Sequence, residues 1–74
     1  MSAAPEATEN RYSVEAVNDG GWKVTIRDPE GTAVSERACG SEEEARTYAS
    51  TVRQHIYWLS ERKFRSYYKL AEPA

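Results

Sequence analysis

The side chains that could do chemistry in this chain fall into a few groups, and most have a plainer use. Cys39 and His55 are the single thiol and the single imidazole. A thiolate beside an imidazole serves nucleophilic catalysis. No activating motif adjoins Cys39, however, and it reads as a small buried apolar residue. His55 flanks the apolar stripe of a helix and reads as a histidine satisfied within the structure. Glu42-Glu43-Glu44 offers carboxylates to a cation. No His or Asp completes a ligand set there, so the run reads as a solvated helix-capping face. Gly20-Gly21 is too short for a phosphate loop. Asp19 and Asp28 stand in turns, where their side chains have conformational work. These residues point to a non-enzyme with no metal, no cofactor and no small-molecule substrate.

Two larger sets remain. In the first, Arg11, Lys23, Thr25, Arg27 and Arg37 share one strand parity with Ser13 and Ser35, opposed only by Glu15. A basic, hydroxyl-bearing sheet face can sit against phosphates. The same composition also describes an ordinary solvated antiparallel face. In the second, Tyr57, Trp58, Phe64, Tyr67 and Tyr68 are interleaved with Arg53, Arg62, Lys63, Arg65 and Lys69. That set has the residue types of a binding surface.

The elements that position these sets are legible from periodicity. Tyr12 to Val17 alternates as a strand. Asn18-Asp19-Gly20-Gly21 then signals a hairpin, because Gly tolerates positive φ. Trp22-Lys23-Val24-Thr25-Ile26-Arg27 alternates throughout. Asp28-Pro29-Glu30-Gly31 has Pro at the second position of a type I turn and Gly at the left-handed position after it. Thr32 to Cys39 is a third, less regular strand. Ser41 is a helix cap, and Glu44 can complete a capping box. Ala45, Tyr48, Ala49, Val52, Ile56 and Leu59 form one stripe of a helix from about residue 42 to 59, ~27 Å long. A seven-residue strand spans ~23 Å, so one helix covers one sheet face. That face would hold Tyr12, Val14, Ala16, Trp22, Val24, Ile26, Val34 and Ala38. The expected fold is α+β, a two-layer β-β-β-α domain in which an antiparallel three-stranded sheet packs on one long helix.

The frame Gly21-Trp22-Lys23-Val24-Thr25-Ile26-Arg27-Asp28-Pro29-Glu30-Gly31, followed by Ser41-x-Glu43-Glu44-Ala45-Arg46-x-Tyr48, resembles the arm-site DNA-binding domain of tyrosine recombinases. The resemblance covers roughly residues 12–55. It implies a three-stranded sheet placed in the major groove and backed by one helix, with Lys23, Thr25, Arg27 and Arg37 facing DNA. The Tyr-x-Val, Gly-Gly-Trp and Glu-Glu-Ala frame is also similar to a family of short uncharacterised bacterial proteins. Unlike the recombinases, the chain has no catalytic domain and its pI is about 5.4.

Length and composition set the outer bounds. Seventy-four residues hold at most one domain, and only 10 of them are Leu, Ile, Val or Phe. A domain this short buries only ~60% of the surface its unfolded chain exposes. Residues 11–70 are assigned to that domain, with disordered tails at 1–10 and 71–74. A lone cysteine excludes an internal disulfide and leaves oligomerisation as the common support for a small core. Residues 1–10 have neither a basic n-region nor an apolar stretch, so they do not read as a signal peptide. There is no long apolar run to span a membrane. The expected location is cytoplasmic.

Charge is unevenly distributed. Residues 1–52 carry five basic and ten acidic side chains, and residues 53–74 carry five basic and two acidic. Were the helix to continue past Ser60, Lys63 would fall on the core stripe, where lysine does not belong. The chain there either overhangs the sheet or turns away as a second short helix. Tyr57, Phe64 and Tyr68 form a second stripe, and the five rings together represent roughly 1,000 Å². A thin sheet-and-helix pair cannot hide that area. The expectation is an interface made by Tyr57, Trp58, Phe64, Tyr67 and Tyr68, in a homodimer or with a protein partner. Three other readings stay open. The rings can stack on unpaired nucleotides, lie on an anionic membrane, or fold back into the core. The expected function is a small non-catalytic interaction module. The alternatives are a nucleic-acid-binding module using the sheet face and a small phage-type inhibitor protein.

Overall fold

A computed structural model describes residues 10–70. Within them the order is β1 (Ser13–Asn18), β2 (Trp22–Arg27), β3 (Ala33–Ala38), α1 (Glu42–Trp58) and α2 (Glu61–Tyr68). The strands form one antiparallel sheet in the order β1-β2-β3. This is the expected α+β arrangement, with the second short helix present. The tails assigned to 1–10 and 71–74 lie outside the described residues except for Asn10, which is ordered against the α1–α2 junction.

Local chemistry accounts for each boundary. Gly20, with φ at 69°, turns β1 into β2, and Gly31, at 94°, turns β2 into β3. Those are left-handed conformations that other residues adopt only at a cost. In the second turn the Asp28 carboxylate accepts from the backbone N–H groups of Glu30 and Thr32, each at 2.9 Å. Ser41 caps α1, its Oγ accepting from Glu44 N–H at 3.1 Å. Glu44 reaches back to accept from the Gly40 N–H at 2.9 Å. The return bond thus falls one residue ahead of the cap, a shifted form of the expected capping box.

α1 stops where its pattern would fail. Leu59 and Ser60 take extended conformations, and Ser60 caps α2 by accepting from Lys63 N–H at 3.2 Å. The break keeps Lys63 off the core stripe and swings Phe64 inward to 0% exposure. α2 ends at Lys69, whose left-handed backbone (φ 57°) lets the N–H of Leu70 reach the Arg65 carbonyl at 2.8 Å.

α1 packs chiefly on β1 and β2. Its alanine half, Ala45 and Ala49, meets Val24, and the small side chains let helix and sheet approach closely. Its other half meets α2. There Val52 and Phe64 close over Tyr12 and Ile26, with Val14, Val34, Ile56, Leu59 and Tyr68 around them. The core is therefore larger at the α2 end than one helix could make it.

β3 departs from the expected phase. The pairing shifts between Ile26 and Arg27, so that Ile26 opposes Ser35 and Arg27 opposes Ala33. Val34 is the extra residue of this bulge and packs into the core. One inserted residue reverses the facing of everything after it. Glu36 comes opposite Thr25 on the open face, and Arg37 opposite Val24 on the helix side. Ala38, expected inward, is exposed opposite Lys23.

Candidate protein interface at the α1–α2 corner

The open face of the sheet does not assemble the basic surface expected from parity. Thr25 is only 2% exposed. It lies between Glu15 and Glu36 on the neighbouring strands, with Lys23 and Arg27 two residues away on its own. Two ion pairs bracket it, Arg27–Glu15 at 3.1 Å and Lys23–Glu36 at 3.4 Å, and their aliphatic stems shield it. Arg27 also donates to the Gly31 carbonyl at 3.0 Å. Arg37 stands on the opposite face, with its guanidinium 4.6 Å from the Tyr48 ring centroid. Arg11 precedes β1 and is bonded to Glu61. Of the five candidates, only Lys23, Thr25 and Arg27 share a face, and carboxylates match its two cations. Glu36 reaches this face only through the bulge, which carries no glycine to announce it in the sequence.

The C-terminal rings divide into two groups. Phe64, grouped on sequence with the interface, is a core residue, its ring 5.2 Å from Tyr12 and 4.9 Å from Tyr68. The helix break at Leu59–Ser60 is the reason, since it gives Phe64 a pocket that a continuous helix would not. Tyr68 is half-buried, and its hydroxyl lies 2.6 Å from His55 Nδ1. Burial first, then the neighbouring Tyr48 and Tyr67 hydroxyls, pushes the Tyr68 phenol up to about 12. It therefore stays protonated at neutral pH and can donate to His55.

Tyr57, Trp58 and Tyr67 are left 84%, 65% and 60% exposed. Tyr57 and Trp58 end α1 on the side away from the sheet, their side chains ~100° apart by the helical period. Tyr67 is held in place, its ring 4.6 Å from His55 and 4.9 Å from Tyr68. Trp58 lies one turn beyond His55, on the flank where Tyr67 stacks. Ser50, Arg53, Gln54 and Tyr57 line a shallow hollow of about 380 Å³ on the outer side of α1. The corner is thus a set of open rings on two helices, with the buried Phe64 packing α2 onto Tyr12.

A clamp that sequence reasoning missed braces this corner. Asn10 Nδ2 donates to the Leu59 carbonyl at 3.0 Å, and Asn10 Oδ1 accepts from Tyr12 N–H at 2.9 Å. Arg11 donates to Glu61 Oε2 from its backbone N–H at 2.9 Å and from Nε at 3.1 Å. Burial alone would raise the Glu61 carboxyl. The Arg11 bonds and charge, with Arg65 adding to them, outweigh burial and hold it below its ordinary value of 4.5. One available signal was that Glu61 is the single acid among residues 53–70, against five bases.

Compared with known proteins, the chain matches no family model, and neither a curated protein nor a solved structure is significantly similar to it. Among the described residues no helix is long and apolar enough to cross a membrane. No group of three or more His, Cys, Asp or Glu residues is placed there to hold a metal ion.

Proposed function

We propose that this protein is a small non-catalytic interaction module that docks a protein partner through the α1–α2 corner. The observation that carries this reading is the exposure of Tyr57, Trp58 and Tyr67 at 84%, 65% and 60% beside a fully buried Phe64. Ring side chains have ~150–250 Å² each, so these three offer roughly 450 Å² to water. Summed over the three rings, that area is comparable to the ~300–600 Å² of the largest patch on a typical monomer, which is often functional. It is also over half of the ~800 Å² that each partner buries in a standard interface. Tyrosine, tryptophan and arginine are the types that dominate interface energetics. Of the three rings, Tyr67 is held by stacking on His55 and Tyr68, and the Asn10–Leu59 and Arg11–Glu61 bonds brace the backbone beneath the corner.

Site-specific photo-crosslinking from position 57 or 67 tests the reading, with position 32 in the β2–β3 turn as control. The expected result is a discrete protein adduct from the two corner sites in the host cell and none from the turn. Equal adducts from all three sites, or none from any, would overturn it.

A further inference from the structure

Resting on that reading, we propose that the corner's partner is an acidic protein segment with interspersed apolar side chains, and not a second copy of this chain. Residues 53–70 hold five basic side chains and one acid. That acid, Glu61, is already bonded to Arg11. Arg53, Arg62, Lys63 and Lys69 take part in none of the ion pairs among the described residues. The helical period sets two of them beside the open rings, since Arg53 precedes Tyr57 by one turn and Lys63 precedes Tyr67 by one turn. Arg53 also borders the hollow against Tyr57. A carboxylate entering there meets a guanidinium, and an apolar neighbour meets a ring.

The charge of the corner separates the occupants. A twofold dimer lays the same patch against itself. Here that would bring together two sets of cations that take part in no ion pair among the described residues, within a Debye length of ~8–10 Å, against one corner carboxylate, Glu61, already bonded to Arg11. Like charges juxtaposed in this way work against the wrong partner. A long nucleic acid meets the opposite difficulty. Beyond the corner it runs into a protein of net charge −2, whose sheet cations are already paired. Nucleic-acid-binding domains ordinarily have pI above ~9, whereas this chain has about 5.4. A short acidic segment experiences the corner alone.

The test titrates the full chain against three labelled probes of equal length at 50 and 300 mM salt, read by fluorescence anisotropy. The probes are a peptide of Glu, Leu and Phe, the same peptide with Lys in place of Glu, and an oligothymidylate. Sedimentation of the chain alone runs in parallel. The expected result is that the acidic peptide binds at least ~10-fold more tightly than either other probe, with affinity falling several-fold in high salt. Arg53→Glu with Lys63→Glu abolishes that binding and leaves the melting temperature in place, because both side chains are exposed. Tighter binding of the oligothymidylate overturns the proposal in favour of nucleic acid. A dimer at low salt that Tyr57→Ala dissolves overturns it in favour of a second copy, while the docking role of the corner stands. If no probe binds and the chain stays monomeric, the acidic partner is refuted. The crosslinking result then decides separately whether the corner docks anything.

Discussion

The open sheet face and the α1–α2 corner are both rich in arginine and lysine, yet they differ in what surrounds each cation. On the sheet, Lys23 and Arg27 each lie within 3.4 Å of a carboxylate on a neighbouring strand. At the corner, Arg53, Arg62, Lys63 and Lys69 have no ion partner among the described residues, and their neighbours are exposed rings. Composition alone cannot tell these regions apart. The difference arises from pairing, and pairing depends on the phase of β3. Without the bulge Glu36 would face the helix, and the sheet would present the basic surface that its alternation suggests. Cationic residues are therefore informative about partners only after their intramolecular carboxylates are known.

The largest effect expected comes from undermining the corner. Phe64 is fully buried between Tyr12, Ile26 and Val52. Phe64→Ala removes the only fully buried α2 side chain, and such truncations cost ~3–5 kcal/mol. Tyr57→Ala and Trp58→Ala lie on the same corner and remove exposed surface only, so each is expected to stay within ~0.5 kcal/mol. Urea denaturation followed by circular dichroism measures all three. Comparable losses from Phe64→Ala and Tyr57→Ala would mean that the division into supporting and presenting rings is wrong.

Next in size is the clamp. Glu61→Gln keeps the shape and removes the charge that Arg11 engages, at an expected cost of ~1–2 kcal/mol for a charge-assisted bond. The wild type should lose stability in the same sense on acidification. The folded Glu61 pKa lies below its ordinary 4.5. Its contribution is therefore complete above that value and disappears as pH falls through the lower, folded value. A stability profile from pH 6 to 3 should be less steep for Glu61→Gln than for the wild type. Parallel profiles would show that the clamp adds nothing.

Tyr68 acts at the alkaline end with the opposite sign. Its folded pKa, about 12, exceeds its ordinary 10.0. The protonated phenol is favoured in the fold, so this stabilisation is complete below 10.0 and is lost as pH rises through the folded value. Tyr68→Phe should flatten stability against pH between about 10 and 12. The His55 ring would lose its 2.6 Å partner, at roughly 1 kcal/mol near neutrality. Unchanged alkaline unfolding in the variant would contradict the burial of that hydroxyl.

What sequence made legible follows from the range of each signal. The two turns and the Ser41 cap are each encoded within four or five consecutive residues, the α1 stripe repeats every three or four, and each appears where expected. The bulge at Val34 depends on how β2 and β3 fit across the sheet, and Ser35 and Glu36 carry no local mark of it. Phe64 lies in the core and not at the expected interface for a related reason. Its position in a helical pattern was readable, but the extended Leu59–Ser60 break that turns it inward is a tertiary choice made against Tyr12 and Ile26. Asn10 meets Leu59 across 49 residues and Arg11 meets Glu61 across 50, so the clamp has no signature in either neighbourhood. The surplus of ring area is legible in the sequence, whereas its division into exposed Tyr57, Trp58 and Tyr67 and buried Phe64 depends on side-chain positions.

The smallest stability change, and the sharpest probe of the comparison, comes from releasing the sheet cations. Glu15→Gln with Glu36→Gln removes the carboxylates from two exposed ion pairs. Such pairs contribute ~0–1 kcal/mol each, so the melting curve should barely move. The net charge of the chain rises from −2 to neutral, and Lys23 and Arg27 are left without counter-charges on one flat face. If pairing is what silences that face, the double variant should gain salt-sensitive retention on duplex DNA that the wild type lacks. Reversing the corner with Arg53→Glu and Lys63→Glu should leave that gain intact, because the two surfaces act separately. Equal retention of wild type and double variant at low salt would show that the carboxylates do not govern the sheet, and the contrast between the two regions would then rest on the rings alone.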